Sequence, residues 1–243
     1  MSGPLTRILY PLYAAAVAGV LMFGLFCPLI ILMPTLPLRR AVGRFAVRSC
    51  LLLIGVRLRV LGTAQLPAGA CIAVANHASY IDGLVLTAAL PGRFTFVVQD
   101  GARDWPYIGL VIRRMGVSFV NRVSAREGAM QTRALVRRLG EGESLAIFAE
   151  GTFESAPGLL AFKNGAFLMA ARAGVPVVPV ALRGTRRLFG GEPPRLRWSR
   201  VEVEILPPVS PAGTEKEAAA RLRAEVRAAI LARCGEPDAA PVC

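Results

Sequence analysis

The chain has 243 residues, 54% of them hydrophobic and only 19% charged, with 29 Lys plus Arg against 16 Asp plus Glu and a formal net charge of +13. That apolar content excludes a disordered polyelectrolyte, and the length suits one α/β domain with a short appendage better than two full domains. A basic surplus can hold nucleic-acid phosphates, or it can hold anionic lipid headgroups and phosphorylated substrates, and the apolar bias points to lipid.

Residues 8–38 carry no charge, a stretch that could extend about 46 Å as a helix, beyond the roughly 30 Å of a bilayer's hydrocarbon core. Pro11, Pro28, Pro34 and Pro37 interrupt it. Two arrangements follow: a kinked or tilted transmembrane helix, or a helix that enters one leaflet and turns back near Pro28. A cleaved signal peptide fits less well, because the run ends in Met-Pro-Thr-Leu-Pro-Leu and not in a small-residue cleavage site. Arg39, Arg40, Arg44, Arg48, Arg57 and Arg59 follow with no acidic residue among them. By the positive-inside rule they place the bulk of the chain on the cytoplasmic side. The spacing of Arg40, Arg44 and Arg48, with Val42, Phe45, Val47, Leu51 and Leu52 between and after them, predicts a basic amphipathic helix facing the lipid interface; the alternative is a helix face packed on the domain.

From about residue 57 short apolar runs at residues 70–75, 94–98, 145–149 and 175–182 read as buried strands, and residues 201–205 as a half-exposed one. Helical patterns occupy residues 80–90, 125–139, 165–173 and 215–233, with capping boxes at Ser124/Glu127 and Thr214/Glu217 and Gly140 at a helix end. The expected fold class is α/β: a partly parallel, mixed sheet flanked by helices on both faces, preceded by a membrane-embedded helical segment. The predicted divisions are the membrane segment at 1–38, the interfacial helix at 39–59, the α/β domain at 60–234 and a loose tail at 235–243. The cysteines, Cys27, Cys50, Cys71, Cys234 and Cys243, are odd in number and form no CxxC pair, so neither a disulfide framework nor a zinc ribbon is suggested.

The chain's one histidine, His77, lies in Asn76-His77-Ala78-Ser79-Tyr80-Ile81-Asp82, between a strand and a helix. A histidine in that turn can meet an aspartate in the first helical turn, which would fix its tautomer and stabilise the imidazolium. The plainer reading is a cap made by Asn76 and Ser79 beside a surface histidine. A second polar stretch, residues 148–155, again follows a strand and precedes Lys163 and Gly165; a third, residues 116–122, ends in Arg122. Backbone amides, lysine and arginine there suit an anion.

In this order the segments resemble the lysophosphatidic acid acyltransferase family of glycerolipid acyltransferases. Asn76, His77, Ser79 and Asp82 match its NHxSxxD pattern. Gly116, Phe119, Val120, Asn121 and Arg122 resemble its second block. Phe148, Glu150, Gly151, Thr152 and Ser155 resemble FPEGTRS, with Ala149 for Pro, Phe153 for Arg and Glu154 additional, and residues 175–180 resemble its proline block. The resemblance implies a glycerolipid acyltransferase fold and transfer of a fatty acyl group from acyl-CoA or acyl carrier protein to a lysophospholipid hydroxyl. Lysophosphatidic acid is the leading acceptor, and the reaction uses no metal, no cofactor and no covalent acyl-enzyme. His77 would be the base and Asp82 its orienting partner. Asn76, Ser79, Arg122, Glu150, Gly151, Thr152 and Lys163 would lie on the substrate side, although Glu150 fits better as a holder of amides or basic groups than as a phosphate ligand. Phe153 removes a charge expected beside a phosphate monoester, which leaves a lysophospholipid or lyso-aminolipid with another headgroup as the alternative. The implied partners are the lysolipid, the acyl donor and an anionic membrane surface.

A serine hydrolase through Ser79 lacks a GxSxG elbow, and a thiol acyl-enzyme through Cys71 would draw on an apolar strand. A non-catalytic basic lipid-binding protein would not need the His77 and Asp82 pair. Nucleic-acid binding lacks a recognition fold, and neither GxGxxG nor GxxxxGK occurs.

Overall fold

The computed structural model describes residues 4–120, 125–152 and 154–240. The apolar N-terminal run is one continuous helical rod: α1 (Pro4–Ala18), a π-helical stretch (Gly19–Phe26) and α2 (Cys27–Leu32). Pro28 cannot donate to the carbonyl four residues back, and the wide turn ends just before it, with the Cys27 N–H bonded to the Met22 carbonyl. The chain reverses at residues 33–35, beyond Pro28, and returns as α3 (Leu36–Leu53).

Next in order come β1 (Leu58–Leu61), β2 (Ile72–Ala75), α4 (Asp82–Ala89), β3 (Phe94–Gln99), α5 (Ile108–Arg114), β4 (Ser118–Val120), α6 (Ala125–Gly140) and β5 (Ser144–Phe148). They are followed by α7 (Gly165–Ala173), β6 (Val177–Arg183), α8 (Thr185–Leu188), β7 (Phe189–Gly190), β8 (Arg195–Leu196), β9 (Val201–Ile205) and α9 (Lys216–Cys234). One sheet runs β1-β9-β6-β2-β5-β3-β4, and β7 and β8 form a separate hairpin. Strands β6, β2, β5, β3 and β4 are mutually parallel, β9 is antiparallel to β6, and β1 is parallel to β9. The carboxyl ends of the parallel strands therefore share one edge, the edge at which open α/β sheets place their sites.

Successive side chains of a strand point to opposite faces, which gives the sheet two cores. Ala73, Ala75, Val178, Val180 and Leu182 join the side covered by α3 and α4. Ile72, Val74, Val177 and Ala181 pack with Leu135, Phe167 and Leu222 from α6, α7 and α9. The expected mixed sheet, helix-covered on both faces, is what forms. Strand β1, helix α5 and the β7/β8 hairpin went unpredicted, being too short for a clear period.

Several expectations are corrected. The helix predicted at 39–59 is α3, and its arginines turn toward the domain. The Arg48 Nε–H donates to the Ala88 carbonyl at 2.8 Å and the Arg44 Nε–H to the same oxygen at 3.3 Å, at the C-terminal end of α4. Arg40 donates to the Gly92 carbonyl at 3.0 Å and to Thr95 Oγ1 at 2.8 Å. Carbonyls left unpaired at a helix end carry partial negative charge, and a guanidinium satisfies several at once. The apolar residues Leu38, Phe45 and Leu52, two helical turns apart, are exposed instead. Arg57 lies between α3 and β1, and Arg59 lies on β1.

The rod does not project away from the body. The Tyr10 and Tyr13 hydroxyls donate to the Ile54 and Leu53 carbonyls near its start, Tyr107 donates to the Phe23 carbonyl midway, and Arg114 donates to the Ile31 carbonyl at its end. The tail is pinned as far as it is described. The Leu159 N–H donates to the Pro237 carbonyl, Ala239 N–H donates to the Leu159 carbonyl, and Glu236 pairs with Arg186 at 2.8 Å. Of the capping boxes, Thr214 is not the cap of α9, whose N-cap position is Glu215, and Ser124 lies outside the described residues.

Candidate active site

His77 leaves the end of β2, and Asp82 opens α4 five residues later. The imidazole Nδ1 lies 2.8 Å from Asp82 Oδ2, and the same oxygen accepts the Ala78 and Ser79 N–H groups at 2.6 and 2.7 Å. Asp82 is fully buried at the N-terminus of its helix, where the dipole favours an anion. An acceptor in that position selects the Nδ1–H tautomer of a neutral ring, and the lone pair then sits on Nε2. Phe148, at the end of β5, stacks on the imidazole with ring centroids 4.2 Å apart and fixes the ring plane. Asp82 Oδ1 is buried without a hydrogen-bond partner.

Asn76 and Ser79, expected on the substrate side, are buried and hold the backbone. The Asn76 amide exchanges two hydrogen bonds with Leu182, its Nδ2–H donating to the carbonyl and its Oδ1 accepting the N–H, which ties β2 to β6. The Ser79 hydroxyl donates to the Phe189 carbonyl at 2.5 Å and accepts the Ile81 N–H. It is therefore not placed as a nucleophile beside His77. Cys71 precedes β2 at the opposite edge of the sheet. It is fully buried, and burial pushes its thiol pKa up, which disfavours thiolate chemistry.

Glu150, 2% exposed, holds main-chain amides, the role that its charge favoured. Its Oε1 accepts the His77 N–H at 2.6 Å and its Oε2 accepts the Leu160 N–H at 2.8 Å. It thus anchors the main chain of the histidine to the loop after β5. Gly151 follows with φ +84°, a left-handed conformation that L side chains rarely adopt, and turns the chain sharply. Thr152 lines a cavity of about 470 Å³ together with Tyr80, Glu154, Ser155, Ala156 and Glu192. Lys163 is exposed, and its backbone N–H donates to the Ala149 carbonyl. Arg122, Asn121 and Phe153 lie outside the described residues. The cavity that Thr152 lines carries Glu154 and Glu192 and, among the described residues, no basic side chain. The Phe148 stack, the Leu182 backbone and the Phe189 carbonyl were missed. Phe148 alone carried a signal, as the strand residue two places before Glu150.

Burial pushes the Glu150 pKa from 4.5 up to about 7, against the opposing pull of the two amide donors. A carboxyl raised on folding binds more protons in the native state than in the unfolded one between those values, so stability falls as pH rises from 4.5 to about 7. The full effect is roughly 3 kcal/mol. We expect Glu150→Gln to flatten this part of the stability profile, measured as urea midpoints from pH 4.5 to 7.5. Parallel profiles for the two proteins would show that Glu150 titrates as it does in the unfolded chain.

The family model described as Acyltransferase matches residues 57–183. A 1-acyl-sn-glycerol-3-phosphate acyltransferase of Borreliella burgdorferi is 30% identical over 147 residues, 60% of this chain and 59% of that protein. A lyso-ornithine lipid O-acyltransferase of Brucella abortus is 33% identical over 184 residues, 70% of this chain and 66% of that protein. The chain spans less than two thirds of the length of these curated relatives. The crystal structure of the 1-acyl-sn-glycerophosphate acyltransferase PlsC from Thermotoga maritima superposes with a TM-score of 0.70, covering 93% of this chain and 95% of that one at 23% identity, and shares the fold. With the NHxSxxD residues gathered at the sheet edge and the matched region spanning β1 through β6, the chain belongs to the acyltransferase family.

Proposed function

We propose that the protein transfers a fatty acyl group from acyl-CoA or acyl carrier protein to the hydroxyl of a lysophospholipid, with lysophosphatidic acid to phosphatidic acid as the leading reaction. The observation that carries this is the His77–Asp82 contact at the carboxyl edge of the sheet. His77 Nε2 removes the acceptor hydroxyl proton as that oxygen attacks the thioester carbonyl. The C–S bond breaks, and the imidazolium, stabilised by Asp82, returns the proton to the departing thiolate. Protons balance, no acyl-enzyme forms, and neither metal nor cofactor is required. Arg122 and Lys163 are the proposed cations toward the acceptor phosphate.

A second acceptor is favoured if its headgroup enters the cavity that Tyr80 and Thr152 line, where Glu154 and Glu192 stand and, among the described residues, no basic side chain does. An ammonium-bearing lyso-aminolipid suits such walls, and the Brucella abortus relative carries the name of one such activity. Purified protein incubated with labelled acyl-CoA or acyl-ACP and a panel of lysophosphatidic acid, lyso-ornithine lipid and other lysolipids separates the readings. The expected result is product with lysophosphatidic acid. Product with the aminolipid alone selects the second acceptor, and none with any pair rejects acyl transfer.

The reading includes the membrane, with the α/β domain on its cytoplasmic face. The rod Ile8–Leu32 has mean hydropathy 2.5 and is long enough to cross a bilayer, and 17% of its most apolar window is buried. Contacts with the body at both ends and midway favour a rod lying in the interface plane over one crossing it. The outward residues of the hairpin, among them Leu12, Val20, Phe45 and Leu52, would then sit in the lipid.

A further inference from the structure

A groove of about 950 Å³, larger than the cavity that Thr152 lines, opens between the C-terminal half of α3 and the sheet edge formed by β1 and β9. Its lining includes Leu51, Leu52, Leu58 and Val60. Arg48, Arg57, Arg59 and Arg200 also line it, all four exposed, against one carboxylate, Glu202; Arg48 already donates to the Ala88 carbonyl, which leaves the other three for a ligand. Glu202 is already engaged by Arg183 at 3.1 Å and stands 3.7 Å from Arg59. Apolar and basic groups thus share one concavity. Leu52, on its wall, is 74% exposed and belongs to the outward face of α3, so the groove opens onto the surface assigned above to the lipid. Trp198, half exposed, donates its indole N–H to the Gly55 carbonyl just past α3, and Arg197 and Arg200 flank it in sequence. An aromatic residue among arginines is the composition found at the level of lipid headgroups.

We propose that this groove is a binding site for an anionic phospholipid of the bilayer, separate from the acceptor site. One acyl chain would lie along Leu52, Leu58 and Val60, with the phosphodiester between Arg57, Arg59 and Arg200. Charge complementarity selects the headgroup: three cations cannot be neutralised by Glu202, whose charge Arg183 already shares. The chain's charge of +13 attracts anionic surfaces everywhere, but here exposed arginines surround an apolar trough continuous with the lipid-facing helix. The site orients the domain on the membrane. It rests on the membrane association proposed above.

The test compares full-length wild-type protein with the triple variant Arg57→Ala/Arg59→Ala/Arg200→Ala. A charge-matched control, Arg137→Ala/Arg172→Ala/Arg221→Ala, removes exposed arginines from α6, α7 and α9 on the other face of the sheet. Each is floated with vesicles of pure phosphatidylcholine and of phosphatidylcholine containing phosphatidylglycerol, and phosphatidylglycerol retained by the detergent-purified protein is counted by native mass spectrometry. With about 1 kcal/mol per basic residue at an anionic surface, the groove variant should lose at least roughly tenfold of the preference for phosphatidylglycerol vesicles. It should also lose the retained lipid, while the control keeps the lipid. Equal behaviour of the two variants would reduce the effect to net charge and overturn the site. Arg57→Glu, a single surface change, must lower lipid retention as well. Failure of the wild type to float on either vesicle would refute the membrane reading itself, whereas flotation on both with no retained phosphatidylglycerol would refute the groove alone.

Discussion

His77→Ala is expected to lower acyl transfer by about a thousandfold or more while the protein remains folded, because general acid–base catalysis contributes on the order of 10²–10⁴ and the ring is also what Asp82 stabilises during transfer. The His77 side chain is only 20% exposed and stacks on Phe148, so its removal costs some packing and lowers the melting temperature, while the hydrogen bonds that Asp82 accepts from the Ala78 and Ser79 amides keep the turn in place. Asp82→Asn is expected to cost about as much in rate and more in stability. Oδ2 accepts the Ala78 and Ser79 amides as well as the imidazole, and an amide group cannot accept three donors at one oxygen while keeping its NH2 away from them. The two readouts therefore separate. A base lost with its fold intact is the signature of His77, and a lost orienting group with a loosened turn is that of Asp82. Product formed by His77→Ala at more than a tenth of the wild-type rate would remove the imidazole from the chemistry. A double variant slower by the product of the two single losses would show that the residues do not act as a unit.

That pair was legible in the sequence because it is local. Five residues separate its members, and a strand-to-helix turn brings such positions together without help from the rest of the chain. The central strands were legible for a related reason: β2 and β6 are buried on both faces and read as continuous apolar runs. What failed was non-local. Asn76 meets Leu182 across 106 residues and Ser79 meets Phe189 across 110, so their motif positions showed that they matter and concealed that they hold backbone and not substrate. Glu150 reaches the His77 amide across 73 residues, and only its charge hinted that it would not hold phosphate. Helix α3 shows the same limit. Periodicity identifies the residues that share a face, but the carbonyls of Ala88 and Gly92 that claim its arginines belong to a loop and helix end more than 40 residues away in most cases.

The reversed orientation of α3 makes its own prediction. If the helix met lipid through its arginines, replacing them would release the protein from anionic vesicles; if it meets lipid through Leu38, Phe45 and Leu52, replacing those would. Phe45 is 64% exposed and Leu52 is 74% exposed, so Phe45→Asp/Leu52→Asp disturbs little packing inside the protein. Burying such side chains is worth about 1.5–3 kcal/mol each, and the double variant should partition onto neutral phosphatidylcholine vesicles roughly 10²-fold more weakly or worse. Arg40→Ala/Arg44→Ala should do the reverse. It leaves the Gly92 carbonyl and Thr95 Oγ1 without their guanidinium donor and the Ala88 carbonyl with Arg48 alone, which lowers unfolding stability by about 1–3 kcal/mol after allowance for partial exposure, and it leaves the neutral-vesicle partition unchanged. Sedimentation with vesicles and urea titration on both variants give a two-by-two comparison in which each substitution moves one readout. Unchanged partition of Phe45→Asp/Leu52→Asp would take that face out of the membrane, and the hairpin would then need a protein partner to cover it.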